Sequence, residues 1–526
     1  MVRKLPIGIQ DFAKLRTGSH VYIDKTALIH KLISGPEGVY FLSRPRRFGK
    51  SLLCSTLKAI FEGRRELFQN IGGFPALAID SLIWEWKKYP VIMLLLNSGE
   101  YLNGSDDVQT SLNQMLAEIA KDERMELRGN NLKDQFKYLI KDLSEKYSEK
   151  VVVIIDEYDK PLLDTIDTLK YHLEIRNVLK SFYGVLKSSD EYLKMSFITG
   201  VTKFSQVSIF SDLNHLTDLT FNTKYADICG LTQAEVEKHL EPEIIAALNE
   251  NDLTRDEYLE QLRAFYNGYR FTEKDLKVFN PFGLLQHFFN EGKFSSYWYN
   301  TGSPTFLIKL INEQKINILE LKDKRVNENA FTKFDIENLD ALPILYQTGY
   351  LTISDFDTVR KEFILNYPNL EVRSAFTTSL AEQFLLAPNH SAGALVNTLP
   401  GAFMVADMDE ALITIQQYIA SIPYDIIKNT ENFYHTVFHI IFSMLGLDCR
   451  SEIRIAAGRI DSIVKTKTHI FCFEFKLDKP AKDALKKIDT KEYMLPFSGE
   501  GKKIVKIGVS FSSEKRNIEE WEIVSK

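Results

Sequence analysis

Gly49-Lys50-Ser51 follows the apolar run Val39-Tyr-Phe-Leu-Ser43 and precedes Leu52, Leu53, Leu57, Ile60 and Phe61, which recur at helical spacing. A strand, a tight turn and a helix start aim backbone N–H groups at one point, where an anion sits. A Lys there reaches the β- and γ-phosphates of a nucleotide, and a Ser hydroxyl after it ligates Mg²⁺. Arg46, Arg47, Phe48, Gly49, Lys50, Ser51 and Leu52 are therefore the candidate nucleotide-binding loop, with Lys50 as its phosphate lysine and Ser51 as a metal ligand. The opening of the loop departs from the glycine-rich pattern, because Arg44-Pro45 stands where the first Gly belongs. A bare Gly-Lys-Ser is common by chance and by itself reads as a solvated helix start.

About a hundred residues on, Val151-Val-Val-Ile-Ile155 gives a buried strand whose C-terminal end presents Asp156 and Glu157. In nucleotide hydrolases such an Asp holds Mg²⁺ beside the phosphate loop, and the Glu after it polarises the attacking water. Two acids at a strand end are also an ordinary loop start; it is their conjunction with the loop that points to a P-loop hydrolase. A further strand, Met195-Ser-Phe-Ile-Thr-Gly200, ends in Thr199, a candidate γ-phosphate sensor on a strand inserted between the other two. Lys203 follows within sequence reach of the same phosphates. A Thr before Gly is equally a plain turn residue.

A second acidic constellation lies near the C-terminus: Gly458-Arg-Ile-Asp461, then His469-Ile-Phe-Cys-Phe-Glu474-Phe-Lys476. If residues 465–468 form a hairpin loop, Val464 pairs with His469 and Asp461 falls opposite Cys472. Asp461, Glu474 and Lys476 then share one face, while Phe471, Phe473 and Phe475 alternate into the core. Two carboxylates about 7–8 Å apart on the diagonal can share a divalent cation, Mg²⁺ or Mn²⁺, and Lys476 can position or deprotonate a water. Glu431, on a preceding helix, would supply a third acid. The bland alternative is an outer sheet face of salt-bridged Asp, Glu and Lys.

These residues must be held by about three domains in a 526-residue chain. We expect a parallel-sheet core over 1–228, a helical, winged-helix-like lid over 229–368, a connector over 369–396 and a third α/β domain over 397–526. Pro90-Val-Ile-Met-Leu-Leu-Leu96 reads as a strand covered on both faces. Leu345–Ile353 and Glu362–Tyr367 read as two lid strands, and Arg270 as a cationic sensor carried by the lid. The composition is that of an ordinary folded protein, at 44% hydrophobic and 26% charged. Four scattered cysteines without metal spacing suggest reduced thiols and a cytoplasmic protein. No apolar run is long enough for a membrane span. The net charge of −6 argues against a global nucleic-acid footprint, yet residues 1–50 carry ten Lys/Arg against three Asp/Glu. Residues 451–526 carry sixteen against twelve.

The chain resembles, over nearly its whole length, the bacterial and archaeal AAA-like ATPases fused to a C-terminal PD-(D/E)XK nuclease-like domain. The matching stretches are Tyr22–Thr26, Arg44–Ser51, Ile155–Asp159, Thr199–Phe204, Ser208–Ser211, Asn267–Phe271, Gln347–Leu351, Gly458–Asp461 and Phe473–Lys476. The family's own loop reads Arg-Pro-Arg-Arg-Phe-Gly-Lys, so the missing glycine is shared. The resemblance implies an ATPase core of the additional-strand, catalytic-Glu type, a winged-helix-like lid and a restriction-endonuclease-like C-terminal fold. It implies ATP at Gly49, Lys50 and Ser51, Mg²⁺ and water activation at Asp156 and Glu157, and nuclease metal at Asp461, Glu474 and Glu431 beside Lys476. One departure is Lys487-Ile488, where relatives commonly place Gln before Ile.

Two functional readings follow. One is an ATP-hydrolysing protein coupled to a metal-dependent DNase-like domain, in a defence or mobile-element setting. The other is a nucleotide-operated switch whose C-terminal domain binds DNA or protein without cutting. Partners are ATP and DNA, with oligomerisation left open.

Overall fold

The computed structural model describes residues 4–525 apart from 204–209, 211–212, 214–215, 302–306, 309, 312–320, 322, 332–340, 386–394, 396–397, 400, 423, 425–426, 445–447, 456 and 467. The motif Ser208–Ser211, save Phe210, and much of the expected connector lie outside the described residues. Two compact units emerge: Met1–Trp298 with Arg325–Asn369, and Tyr299–Lys324 with Leu370–Lys526. The segments expected as core and lid fall together in the first. Among the described residues no helix is long and apolar enough to cross a membrane.

The first unit is built on five parallel strands: β1 (Val39–Ser43), β2 (Val91–Leu95), β3 (Val151–Asp156), β4 (Leu193–Gly200) and β5 (Leu216–Asp218). Their order is β2-β3-β4-β1-β5. β4 thus lies between the strand that feeds the loop and the strand that ends in Asp156, as the resemblance to P-loop ATPases of the additional-strand type implied. Val151 to Ile155 are fully buried, which fits β-branched side chains on a central strand covered on both faces. β2 corrects an expectation. Its continuous apolar run is an edge strand with alternating burial, and Met93 and Leu95 line a cavity instead of a packed layer.

Helices Ser105–Asp122, Leu132–Tyr147 and Leu169–Tyr183 bury their apolar stripes on this sheet. Beyond it come helices Gln233–His239, opened by the Thr232/Glu235 capping box, Glu241–Asn249, Arg255–Tyr266 and Pro281–Phe289. A small sheet of β6 (Lys324–Val326), β7 (Thr352–Asp357) and β8 (Glu362–Asn366) follows, in the order β6-β8-β7. The expected first lid strand is displaced: Leu345–Gln347 close the helix Ala341–Gln347, and the strand starts only at Thr352. Its apolar run reads as strand because a buried helix end has the same composition.

Two buried histidines make this unit acid-sensitive. Burial pushes His172 and His287 down to about 4, His172 beside the Leu162 carbonyl and His287 between Tyr258 and the Lys293 carbonyl. Both bind protons less readily folded than unfolded, so their contribution is complete above about pH 6.5 and is lost as pH falls toward the folded value. The expected outcome is an unfolding free energy, read from urea titrations, that drops between pH 7 and 5 by up to about 1.4 kcal/mol per pH unit for each histidine. His172→Gln should flatten that slope.

The second unit carries β9 (Asp448–Ile455), β10 (Gly458–Lys465), β11 (His469–Leu477), β12 (Lys503–Ser512) and β13 (Asn517–Ser525), in the order β13-β12-β11-β10-β9. β11 and β12 are parallel and the other pairs antiparallel. Phe471, Phe473 and Phe475 enter a core with Phe403, Phe438 and Phe442. Helix Leu370–Leu385, within the expected connector, belongs to this unit and contacts helix Glu431–Met444. The hairpin register differs from expectation by two residues: Val464 pairs with Phe471 and Ser462 with Phe473. A slip of two preserves every face, so Asp461, Glu474 and Lys476 stay together, and Asp461 moves from diagonal to directly in line with Glu474.

Candidate active sites

β1 delivers the chain into the loop, and helix Lys50–Phe61 leaves it. Arg47 and Gly49 both take left-handed backbone, at φ 65° and 90°, which gives the turn its curvature. Lys50 is buried and donates to the Arg44 and Pro45 carbonyls at 2.9 and 3.0 Å, so its ammonium lies inside the loop. Arg46 and Arg47 are exposed, with Arg47 over the Phe282 ring at 4.7 Å. Arg44, in the place of the first glycine, is buried. Its guanidinium donates to the carbonyls of Ser43, Thr220, Tyr225 and Ala226 and stacks 4.1 Å over Phe271.

Asp156 ends β3 beside this helix start. Its Oδ1 accepts the Glu157 N–H at 3.0 Å, while Oδ2 is buried without a partner of normal geometry. Burial raises the Asp156 pKa, and the Ser51 hydroxyl and the Lys50 charge oppose that. A buried orphan carboxylate oxygen next to a serine hydroxyl suits a hard, oxygen-seeking cation such as Mg²⁺. Glu157 sits at φ 54°, a conformation unusual for its type, which turns its side chain out of the strand's alternation. Its pKa is raised, first by burial and then by Asp156, so it holds a proton more readily than a free carboxylate.

Cavities formed by described residues flank the loop. One of about 110 Å³ is mainly apolar, bounded by Tyr22, Phe48, Leu52, Ile228, Leu231 and Pro281, the kind of wall that grips a nucleobase. The other, of about 370 Å³, reaches Ser51 and Asp156 and is edged by Asp11, Ser55, Lys58 and Asn97.

In the second unit, Asp461 presents its two oxygens in different directions. Oδ2 accepts the Phe475 N–H at 2.8 Å and lies 3.6 Å from His435 Nε2; Oδ1 lies 4.0 Å from Lys487 Nζ. Glu474 is wholly buried. Lys476 donates to its Oε1 at 3.0 Å and Lys487 donates to the same oxygen, whereas Oε2 has no hydrogen-bond partner among the described residues. Burial, then Asp461, pushes Glu474 up to about 6. Glu431 and His435 share a face of helix Glu431–Met444, and with Asp461 they bring three ligand atoms within 4.8 Å of one another. His435 Nδ1 faces Glu452 at 3.3 Å, and Glu452 is held by Arg459 at 2.6 Å, so the imidazole is oriented with Nε2 toward Asp461. This donor set of carboxylates and one imidazole fits a divalent cation, and no ion is needed to explain why His435 Nε2 is turned that way.

Comparison with known proteins places both sites in context. A family model described as "Predicted AAA-ATPase" matches residues 6–210, and one for the PD-(D/E)XK nuclease superfamily matches residues 429–521. An uncharacterized protein in the vnfD 5′ region of Azotobacter chroococcum mcd 1 is 34% identical over 528 residues, 98% of both chains. The chain belongs to the AAA-ATPase-like proteins with a C-terminal PD-(D/E)XK nuclease superfamily domain.

Within this family framework several expected residues take other places. Thr199 is fully buried and donates its hydroxyl to the Leu42 carbonyl inside the sheet, so that proton is not available to a phosphate. Lys203 is held by Asp218 at 2.5 Å and lies over Phe221, which removes it from the phosphates. Arg270 is buried against the carbonyls of Thr272, Glu273 and Ser354, a structural brace instead of a sensor. Phe48 contributes to the apolar cavity, packed edge-on to Tyr269 and Phe271. The sequence reading missed Asp159, which accepts from the Val201 and Thr202 N–H groups and fixes the end of β4. It placed His435 on the helix of Glu431 but gave it no role, although a His four residues after an acid on a helix is a readable signal. Gly508 pairs with Glu474 in the sheet, and a Cβ there would lie 2.4 Å from the Ala481 carbonyl; its bareness lets helix Ala481–Thr490 approach the carboxylates.

Proposed function

We propose that this protein binds ATP with Mg²⁺ at the loop, hydrolyses it, and carries a metal-dependent DNase-like site at Asp461 and Glu474. The observation that carries the reading is a repeated one: in each unit a buried carboxylate, Asp156 or Glu474, has an oxygen that no described residue meets in normal hydrogen-bond geometry, beside further ligand groups. In the first unit Lys50 and the loop N–H groups would bind the phosphates, the apolar cavity the base, and Ser51 and Asp156 the Mg²⁺. The cation's contribution is to neutralise charge developing on the phosphates. Glu157 accepts the proton of a water that attacks the γ-phosphorus, and ADP leaves with the bridging oxygen. Thr199 and Lys203 act only by holding β4 and β5. The helices after Thr232 and the β6–β8 sheet form the winged-helix-like lid of this reading, and four buried cysteines outside any disulfide suit a cytoplasmic protein.

In the second unit Asp461, Glu474, Glu431 and His435 would hold the cation, whose role is to polarise a phosphodiester and activate water. The imidazole favours Mn²⁺ over Mg²⁺ in this site. Lys476 positions that water. One observation favours the non-cleaving alternative: the ammonium of Lys487 sits on the carboxylate pair, where a cation would have to bind. In that reading the nucleotide operates a switch and the C-terminal domain binds DNA or protein without cutting.

ATP binding is tested by linkage. At ATP–Mg²⁺ about 100-fold above Kd the folded state gains about 2.7 kcal/mol. The expected result is a raised unfolding temperature for wild type and none for Lys50→Ala. No rise in wild type would remove the nucleotide site.

A further inference from the structure

Lys487 projects from helix Ala481–Thr490, whose Ala481, Ala484, Leu485 and Ile488 are buried against the sheet. Its stem runs by Tyr493, with the ammonium 5.8 Å from the ring centroid, and its described ionic partners are the two carboxylates, Glu474 and Asp461. Lys476 adds a second ammonium on Glu474 and is also tied to the Phe475 carbonyl at 2.8 Å. Two acids and two ammonium groups thus balance. Nearby, Glu452 is already matched by Arg459, and Glu431 stands at the half-exposed edge. A divalent cation entering this balanced cluster meets two positive charges at about contact distance, repulsion that a low-dielectric site amplifies. The two lysines are not equally able to yield. The Lys476 side chain is 16% exposed, and that of Lys487 is 35% exposed on a flexible four-carbon stem open to solvent.

We propose that Lys487 is a tethered counter-ion that takes the electrostatic place of a divalent cation at Asp461 and Glu474, so that the cation binds only as this ammonium swings out. The site then rests metal-free at low cation concentration and is filled by displacement. This deepens the proposed metal reading of the same carboxylates and rests on it.

The test titrates Mn²⁺ alone into the nucleotide-free full chain and follows free Mn²⁺ by its paramagnetic resonance signal. Lys487→Gln should bind at least about 10-fold more tightly than wild type at a site that Asp461→Asn removes, while Lys487→Arg, which keeps the charge, should bind as wild type does. Equal affinity of wild type and Lys487→Gln, with the site still lost in Asp461→Asn, overturns the displacement and leaves the metal site standing. No Asp461-dependent binding in any variant overturns both. A second measurement needs no substitution: acetylation of Lys487 in wild type, read by peptide mass spectrometry, should speed up several-fold at saturating Mn²⁺. An unchanged rate overturns the proposal even if the variants fail to fold.

Discussion

Glu157→Gln is expected to leave ATP–Mg²⁺ binding within about twofold of wild type and to slow phosphate release by about 100-fold or more, the scale of a lost general base. The reason is local. The amide keeps the size and hydrogen-bonding reach of the carboxylate but cannot take a proton, and the raised pKa of Glu157 in its buried, acid-flanked position is what suits it to take one. Lys50→Ala differs in kind, because it removes a charge that binds the ground state as well and should abolish both binding and turnover. The comparison separates catalysis from affinity. If Glu157→Gln hydrolyses ATP at the wild-type rate in a phosphate-release assay, water activation belongs to another group and the assignment is wrong.

The second large effect concerns the other unit. Asp461→Asn should reduce Mn²⁺-dependent nicking of plasmid DNA by at least about 100-fold while ATP hydrolysis stays unchanged. Asp461 is singled out because its two oxygens serve both groups at once, His435 and Glu431 on one side and Glu474 and Lys487 on the other. An amide in its place would put N–H beside imidazole or ammonium. If wild type cuts no single- or double-stranded substrate with either metal, with or without ATP, the non-cleaving switch becomes the better account.

How far these residues could be read from the chain depended on whether the signal was local. Val151–Ile155 announces a central strand because β-branched side chains without a polar break leave few alternatives, and the acids at its end follow from it. The face shared by Asp461, Glu474 and Lys476 survived a wrong register because alternation has a period of two. What stayed hidden was tertiary. Nothing in the order Thr-Gly-Val-Thr-Lys tells that Thr199 donates into the sheet or that Asp218 captures Lys203, since both partners come from other strands. Arg270 looked like a sensor because its type alone does not tell that its guanidinium turns back on the carbonyls of Thr272 and Glu273, two and three residues on, and reaches Ser354 on β7. His435 was nearer to legible, four residues beyond Glu431, but its meaning required Glu452 from β9 to orient the ring.

Arg44 has one more consequence. Its guanidinium joins the start of the phosphate loop to the carbonyls of Tyr225 and Ala226, two residues before Ile228 begins the wall of the apolar cavity. Under the proposed nucleotide reading, one guanidinium then ties the phosphate end of the site to the segment that enters its base-facing wall, so the spacing of the two ends would depend on Arg44.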